Sequence, residues 1–206
     1  MNKILLIIIF ALGLLANGLL YFFAVQNNAE WLYSENALME NIQAVVALIA
    51  AIIGLITCIR YQGLTSAVAF ACAVLGWSIF LREVDVERLH YNIPQALVWL
   101  GHGIGRNSML LILWIGVFWQ IKKQFASIKQ NFRSLVFSPS GKLLLISFGL
   151  LILSDLFEKH ILGGLHHVFY EELMELDAFL LFLLAALLIK ISVAKATNQS
   201  DRHSTQ

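Results

Sequence analysis

Residues 155–177, DLFEKHILGGLHHVFYEELMELD, set two carboxylates, three histidines and four further carboxylates between two strongly apolar runs. The uncharged run on each side, residues 143–154 and 178–189, is only 12 residues long. That is about 18 Å of helix, whereas a bilayer's hydrocarbon core is about 30 Å thick and takes roughly 20 residues to cross. If both runs span, Asp155, Glu158, Glu175 and Asp177 lie at or below the outer edge of the hydrocarbon. Ionisable groups at that depth mark a functional site.

The rest of the chain supports a membrane setting. Its 206 residues are 59% hydrophobic with a mean hydropathy of +0.77, and only 13% are charged, against about 25% in soluble domains. The net charge of +1 decides little, because what counts is the side of the membrane each charge occupies. Cys58 and Cys72 fall inside apolar runs at different depths and read as small packing residues rather than a disulfide. No basic tract carries interleaved aromatics, so nucleic acid is excluded as a partner. There is also no G-x-S-x-G and no phosphate-cradling glycine loop.

The expected fold is an all-α integral membrane protein, a single domain over residues 1–193 with six spans at about 4–25, 41–58, 64–81, 97–121, 143–162 and 171–192. Residues 194–206 form a polar cytoplasmic tail, expected to be disordered. The first apolar run, some 22 residues after Lys3, exceeds the roughly 7–15 residues of a signal peptide and lacks an A-x-A site, so it reads as an uncleaved span. Spans two and three carry small residues four apart, Ala47/Ala51, Ala50/Gly54, Ala67/Ala71 and Ala69/Ala73, which allow close backbone approach in lipid. The fourth is the least regular, because Gly101, Gly103 and Gly105 interrupt it.

Basic residues set the orientation. With both termini cytoplasmic, 10 of 14 Lys and Arg fall inside, including the five of residues 122–142, a stretch with no acid. The same topology sends 12 of 13 acids and 5 of 6 histidines outward, a grouping that the positive-inside rule does not explain. The location expected is the inner (plasma) membrane, with the lipid bilayer as the obligatory partner.

Among the outward groups, REVDVERLHYNIPQ at residues 82–95 puts Glu83, Glu87 and His90 on one helical face. The spacing suits metal ligation or a salt-bridged, solvated helix end. Glu172 and Glu175 are three apart at a helix start, where the macrodipole favours acids by about 0.3–1 kcal/mol each. Asp155 and Glu158 sit at a helix end where it disfavours them, so a partner is expected among Lys159, His160, Arg106, Arg88 or a metal. Asp177, off the Glu171/Glu175 face, is expected to be buried against another helix or protonated. Imidazoles beside carboxylates suit zinc, iron or manganese and proton transfer equally.

Three function classes fit these residues. In the leading one, Glu83, Glu87, His90, His166, His167, Glu172 and Glu175 hold a divalent metal (Zn, Fe or Mn), and Asp155, Glu158 and Arg106 complete a hydrolase acting on a lipid or other membrane-proximal ester. The alternatives are a non-catalytic assembly protein docking a membrane partner and a cation- or proton-coupled transporter. They differ in whether the polar side chains converge.

Overall fold

The computed structural model describes residues 3–34, 37–84, 94–162 and 164–203, with side chains described for residues 11–34, 37–84, 94, 98–162 and 164–189. The described residues contain helices and turns and no strand. In order they are α1 (Lys3–Tyr21), a π-helical turn (Phe22–Gln26), a 3-10 turn (Glu30–Leu32), α2 (Leu38–Arg60), α3 (Gly63–Glu83), α4 (Gln95–Gly101), α5 (Gly103–Lys123), α6 (Phe125–Phe137), α7 (Pro139–Glu158) and α8 (His167–His203). Four of these, α2, α3, α5 and α7, are long and apolar enough to cross a membrane.

The α2–α3 hairpin is as close as its small residues imply. Ala47, Ala50, Ala51 and Gly54 are buried on α2, and Ala69, Cys72, Ala73 and Gly76 on α3. A methyl added at Gly54 would lie 2.8 Å from the Ala73 nitrogen and 2.9 Å from the Ala69 oxygen. One at Gly76 would lie 2.9 Å from the Ala47 oxygen. Lipid supplies no hydrophobic drive between helices, so this backbone-to-backbone packing is what holds the pair. Only Tyr61 and Gln62 separate the helices, and the Ser66 hydroxyl donates to the Cys58 carbonyl across the turn at 3.0 Å.

Helix α8 is the hub. Its Phe179 packs with Val46 of α2 and with Leu150 and Leu151 of α7, and its Phe182 packs with Ala50 of α2 and Cys72 of α3. Ser147 on α7 donates to the Ala178 carbonyl at 2.8 Å, and Asn17 on α1 donates to Asp177 Oδ2 at 2.7 Å. Asp177 is thus held against another helix, as its depth in the sequence implied. At the end where α8 begins, Ala24, Leu32 and Met39 close over Phe169, Leu173 and Leu176.

Three segments depart from the sequence reading. The span expected at 97–121 breaks at His102, where the backbone is extended and Gly103 takes φ +55°. Beside the break Trp99 crowds Gly105 so closely that a Cβ there would meet the Trp99 oxygen at 2.0 Å. Residues 122–142, read only as a basic connection, contain the separate helix α6. It ends at Ser138, whose hydroxyl caps α7 by accepting from the Gly141 amide at 3.0 Å, with Pro139 at the first helical position. In addition α8 continues as helix to His203, past the expected end at 192.

Candidate functional site

A polar cluster forms where α2 and α8 begin and α3 and α7 end. Arg82, the penultimate residue of α3, donates through Nε to Glu83 Oε1 at 2.8 Å and through Nη2 to Glu175 Oε2 on α8. Ser154 on α7 donates to the other Glu175 oxygen at 3.2 Å. The guanidinium is 57% exposed, whereas the Glu83 and Glu175 side chains retain 8% and 13% of their surface, so Arg82 reaches in from the rim and neutralises two carboxylates lying below it.

Glu172 is held differently. It is 9% exposed, and its partner among the described residues is a neutral amide: Gln43 Nε2 donates to its Oε2 at 2.9 Å and to its backbone oxygen at 3.0 Å. A carbonyl can only accept, so the backbone contact fixes which way the amide points. Gln43 is itself fully buried, and among the described residues its Oε1 has no hydrogen-bond partner. An orphaned buried acceptor beside a buried carboxylate is unfavourable twice over. Glu40, one turn before Gln43, lies within electrostatic reach of both Glu83 and Glu172. Among the described residues, Glu83 and Glu175 therefore share the Arg82 guanidinium, whereas Glu172 has the Gln43 amide, with Glu40 close by.

The other sequence candidates lie elsewhere. Asp155 is half-exposed and paired within its own helix, with Lys159 Nζ donating to Oδ2 at 2.6 Å, and this bond holds the lysine pKa above its ordinary value. Lys159 was among its expected partners, but the pair is at the surface and the expected burial of Asp155 is not found. Glu158 is exposed. Arg106 neutralises no acid in the cluster. It donates to the Leu81 carbonyl at 3.3 Å, satisfying a backbone oxygen in the last turn of α3. The α7–α8 loop brings the His160 and His167 rings to 4.3 Å centroid to centroid, with His160 and His166 at φ +55° and +69°. Nearby, burial and the neighbouring Glu30 push the Tyr33 phenol pKa up. Glu87, His90 and Glu35 lie outside the described residues.

The structure thus unites Glu83, Glu172 and Glu175, while Asp155 pairs with Lys159 at the surface and Glu158 and His167 lie within electrostatic reach of Glu171, which also feels Glu175 and Arg82. Among the described residues, no group of three or more His, Cys, Asp or Glu side chains has metal-holding geometry. The sequence reading missed Gln43 and Ser154. Their signal was present: Gln43 continues the 47, 50, 54 small-residue face of α2, and Ser154 lies seven residues after Ser147 on α7. A polar residue on a packing stripe in lipid is there to bond across it.

The arrangement defines a helical, multi-pass type of membrane protein with ionisable groups at one end of its bundle. No family model matches the chain, and neither characterised proteins nor solved structures align with it significantly.

Proposed function

We propose that the chain is a six-span inner-membrane protein, both termini cytoplasmic, whose outer-side glutamate cluster binds a cation as the coupling ion of a carrier. The observation that carries this is Glu172, a nearly buried carboxylate whose partner among the described residues is an amide, while Arg82 is committed to Glu83 and Glu175. Binding positive charge removes the cost of that carboxylate and gives the Gln43 oxygen a partner. The donors within the cluster are all oxygen, from Glu40, Gln43, Glu83, Glu172 and Glu175, which suits a proton as they stand and a hard metal ion such as sodium, magnesium, calcium or manganese only once the carboxylates draw closer together. The break between α4 and α5 is in keeping with this class, since discontinuous helices are common in carriers.

The test is thermal unfolding of purified protein across a panel of these cations and across pH. One cation, or protons alone, raises the wild-type midpoint, and Glu172→Gln abolishes that response while raising the midpoint in its absence. Identical responses in wild type and Glu172→Gln would overturn the reading. Flux of the identified ion in proteoliposomes then separates a carrier from a static binding site.

A metal-dependent hydrolase is the second reading, favoured by the His160/His167 contact. Its ligands would come from the α7–α8 loop, with Asp155 and Glu158 beside them and a lipid ester as substrate. Stoichiometric zinc, iron or manganese in protein purified without chelator or histidine tag, lost in His160→Ala/His167→Ala, would favour it over the carrier.

A further inference from the structure

Helix α6 buries none of its residues against the rest of the protein. A helix of 13 residues is marginal in water on its own, and most helices gain stability by packing one apolar face. The sequence of α6 has such a face. At 100° per residue, Phe125, Ile128, Phe132, Leu135 and Val136 fall within an arc of about 100°, with Ser127, Gln130, Asn131 and Ser134 away from it. Ile128, Leu135 and Val136 are half-buried, but Phe125 and Phe132 are each 61% exposed. The two largest side chains of the stripe therefore lack a protein surface to cover them.

Position and charge say what covers them. Helix α6 joins the end of α5 to the start of α7, two helices able to cross a membrane, so both its ends are pinned where the hydrocarbon stops. Lys129 and Arg133, one turn apart, flank the stripe on one side, and Lys122, Lys123 and Lys142 stand at the two ends; all five are exposed. No Asp or Glu occurs anywhere between Glu87 and Asp155, so α6 and the helix ends it joins carry no acid to offset these five charges. An apolar stripe bordered by basic residues, lying at the membrane boundary, is the pattern of an in-plane interfacial helix.

We infer that α6 lies in the headgroup layer of the leaflet, inserts Phe125 and Phe132 among the acyl chains, and binds anionic phospholipid headgroups through Lys129 and Arg133, with Lys122, Lys123 and Lys142 extending the basic surface. The inference requires α5 and α7 to span and is independent of the cation cluster at the other end of the bundle.

The test uses the full chain in nanodiscs, in a Cys58→Ser/Cys72→Ala background, with an environment-sensitive thiol fluorophore at Phe132→Cys or Asn131→Cys. Quenching by lipids brominated on the acyl chains, of phosphatidylglycerol or phosphatidylcholine, reports depth and lipid preference together. The label at 132 is quenched by brominated chains, and the label at 131 by aqueous iodide. Each basic residue near an anionic surface contributes about a fivefold preference, so the phosphatidylglycerol preference at 132 falls on the order of 25-fold in Lys129→Gln/Arg133→Gln and weakens with salt in the wild type. Iodide quenching at 132 without brominated-lipid quenching would place α6 off the membrane, as a face for a protein, and overturn the inference. Equal quenching by both lipids, unchanged in the double variant, would overturn the headgroup assignment. Proper folding of each variant is checked by its quenching at an α5 site, Ile112→Cys, which the inference leaves unchanged.

Discussion

Replacing Arg82 with glutamine tests the energetic centre of the cluster. The substitution keeps a hydrogen-bonding side chain but withdraws the charge that faces Glu83 and Glu175, whose side chains are only 8% and 13% exposed. Breaking a buried ion pair from one side costs about 3–5 kcal/mol, since a carboxylate is left buried and unpaired. Here the guanidinium is 57% exposed and water can partly replace it, which argues for the low end, about 3 kcal/mol. For a chain of this size each kcal/mol moves the unfolding midpoint by about 2–4 °C, so the drop should be about 6–12 °C. Cys72 is 5% exposed, so a thiol-reactive dye whose fluorescence rises on unfolding reads the transition in detergent or nanodiscs. Adding Glu175→Gln removes one of the stranded charges and should recover about half of the loss, a coupling beyond the scatter of independent sites. An Arg82→Gln midpoint within 1–2 °C of wild type (roughly the resolution needed against), or a double variant showing only the sum of its parts, would refute the assignment of Arg82 as neutraliser of the cluster.

Gly54→Ala should cost about 1–3 kcal/mol, because its methyl meets backbone rather than a movable side chain; Gly13→Ala, with open space around it, should cost nothing in the same unfolding assay. Asn17→Leu should lower stability by about 1.5–3 kcal/mol if Asp177 is ionised, whereas Asp177→Asn, which keeps an amide-to-amide bond to Asn17, should stay near wild type; the reverse order would refute the pairing. Asp155→Ala should change stability by no more than about 1 kcal/mol, since its partner is a surface lysine one turn away, and a larger loss would show a buried role. Cysteines at Lys129 and His166, in a background lacking Cys58 and Cys72, should label from opposite sides of the membrane, with Lys129 reached from the cytoplasm.

The α2–α3 hairpin could be read from residues because its determinants are local: alanines and glycines four apart, with a turn of two residues. The helical class and the apolar lengths of α2, α3, α5 and α7 follow from composition in the same way. The break at His102 was less visible, since glycines at 101, 103 and 105 permit irregularity without saying which residue takes it. Helix α6 was missed because residues 122–142 were weighed by charge alone, although the 125, 128, 132, 135 apolar spacing was already there. Asp155 was assigned too much burial, because a lysine four residues later on the same face is enough to hold it at the surface. The partnership of Gln43 with Glu172 joins residues 129 apart in the chain, and such a contact depends on which helices become neighbours, something that periodicity within each helix does not contain.

The same connectivity fixes an order of assembly during synthesis. Helices α2 and α3 can pair as soon as the second emerges, since their contact needs no later residue. Arg82 and Glu83 are then paired, with Glu40 of α2 in electrostatic reach, before α8 has been made. Glu172 and Glu175 reach them last, and with them come Phe179 and Phe182, which close the apolar centre. A nascent chain stalled before α8 would present an uncovered polar notch, the kind of feature by which quality-control proteases and insertion chaperones distinguish unfinished membrane proteins from complete ones.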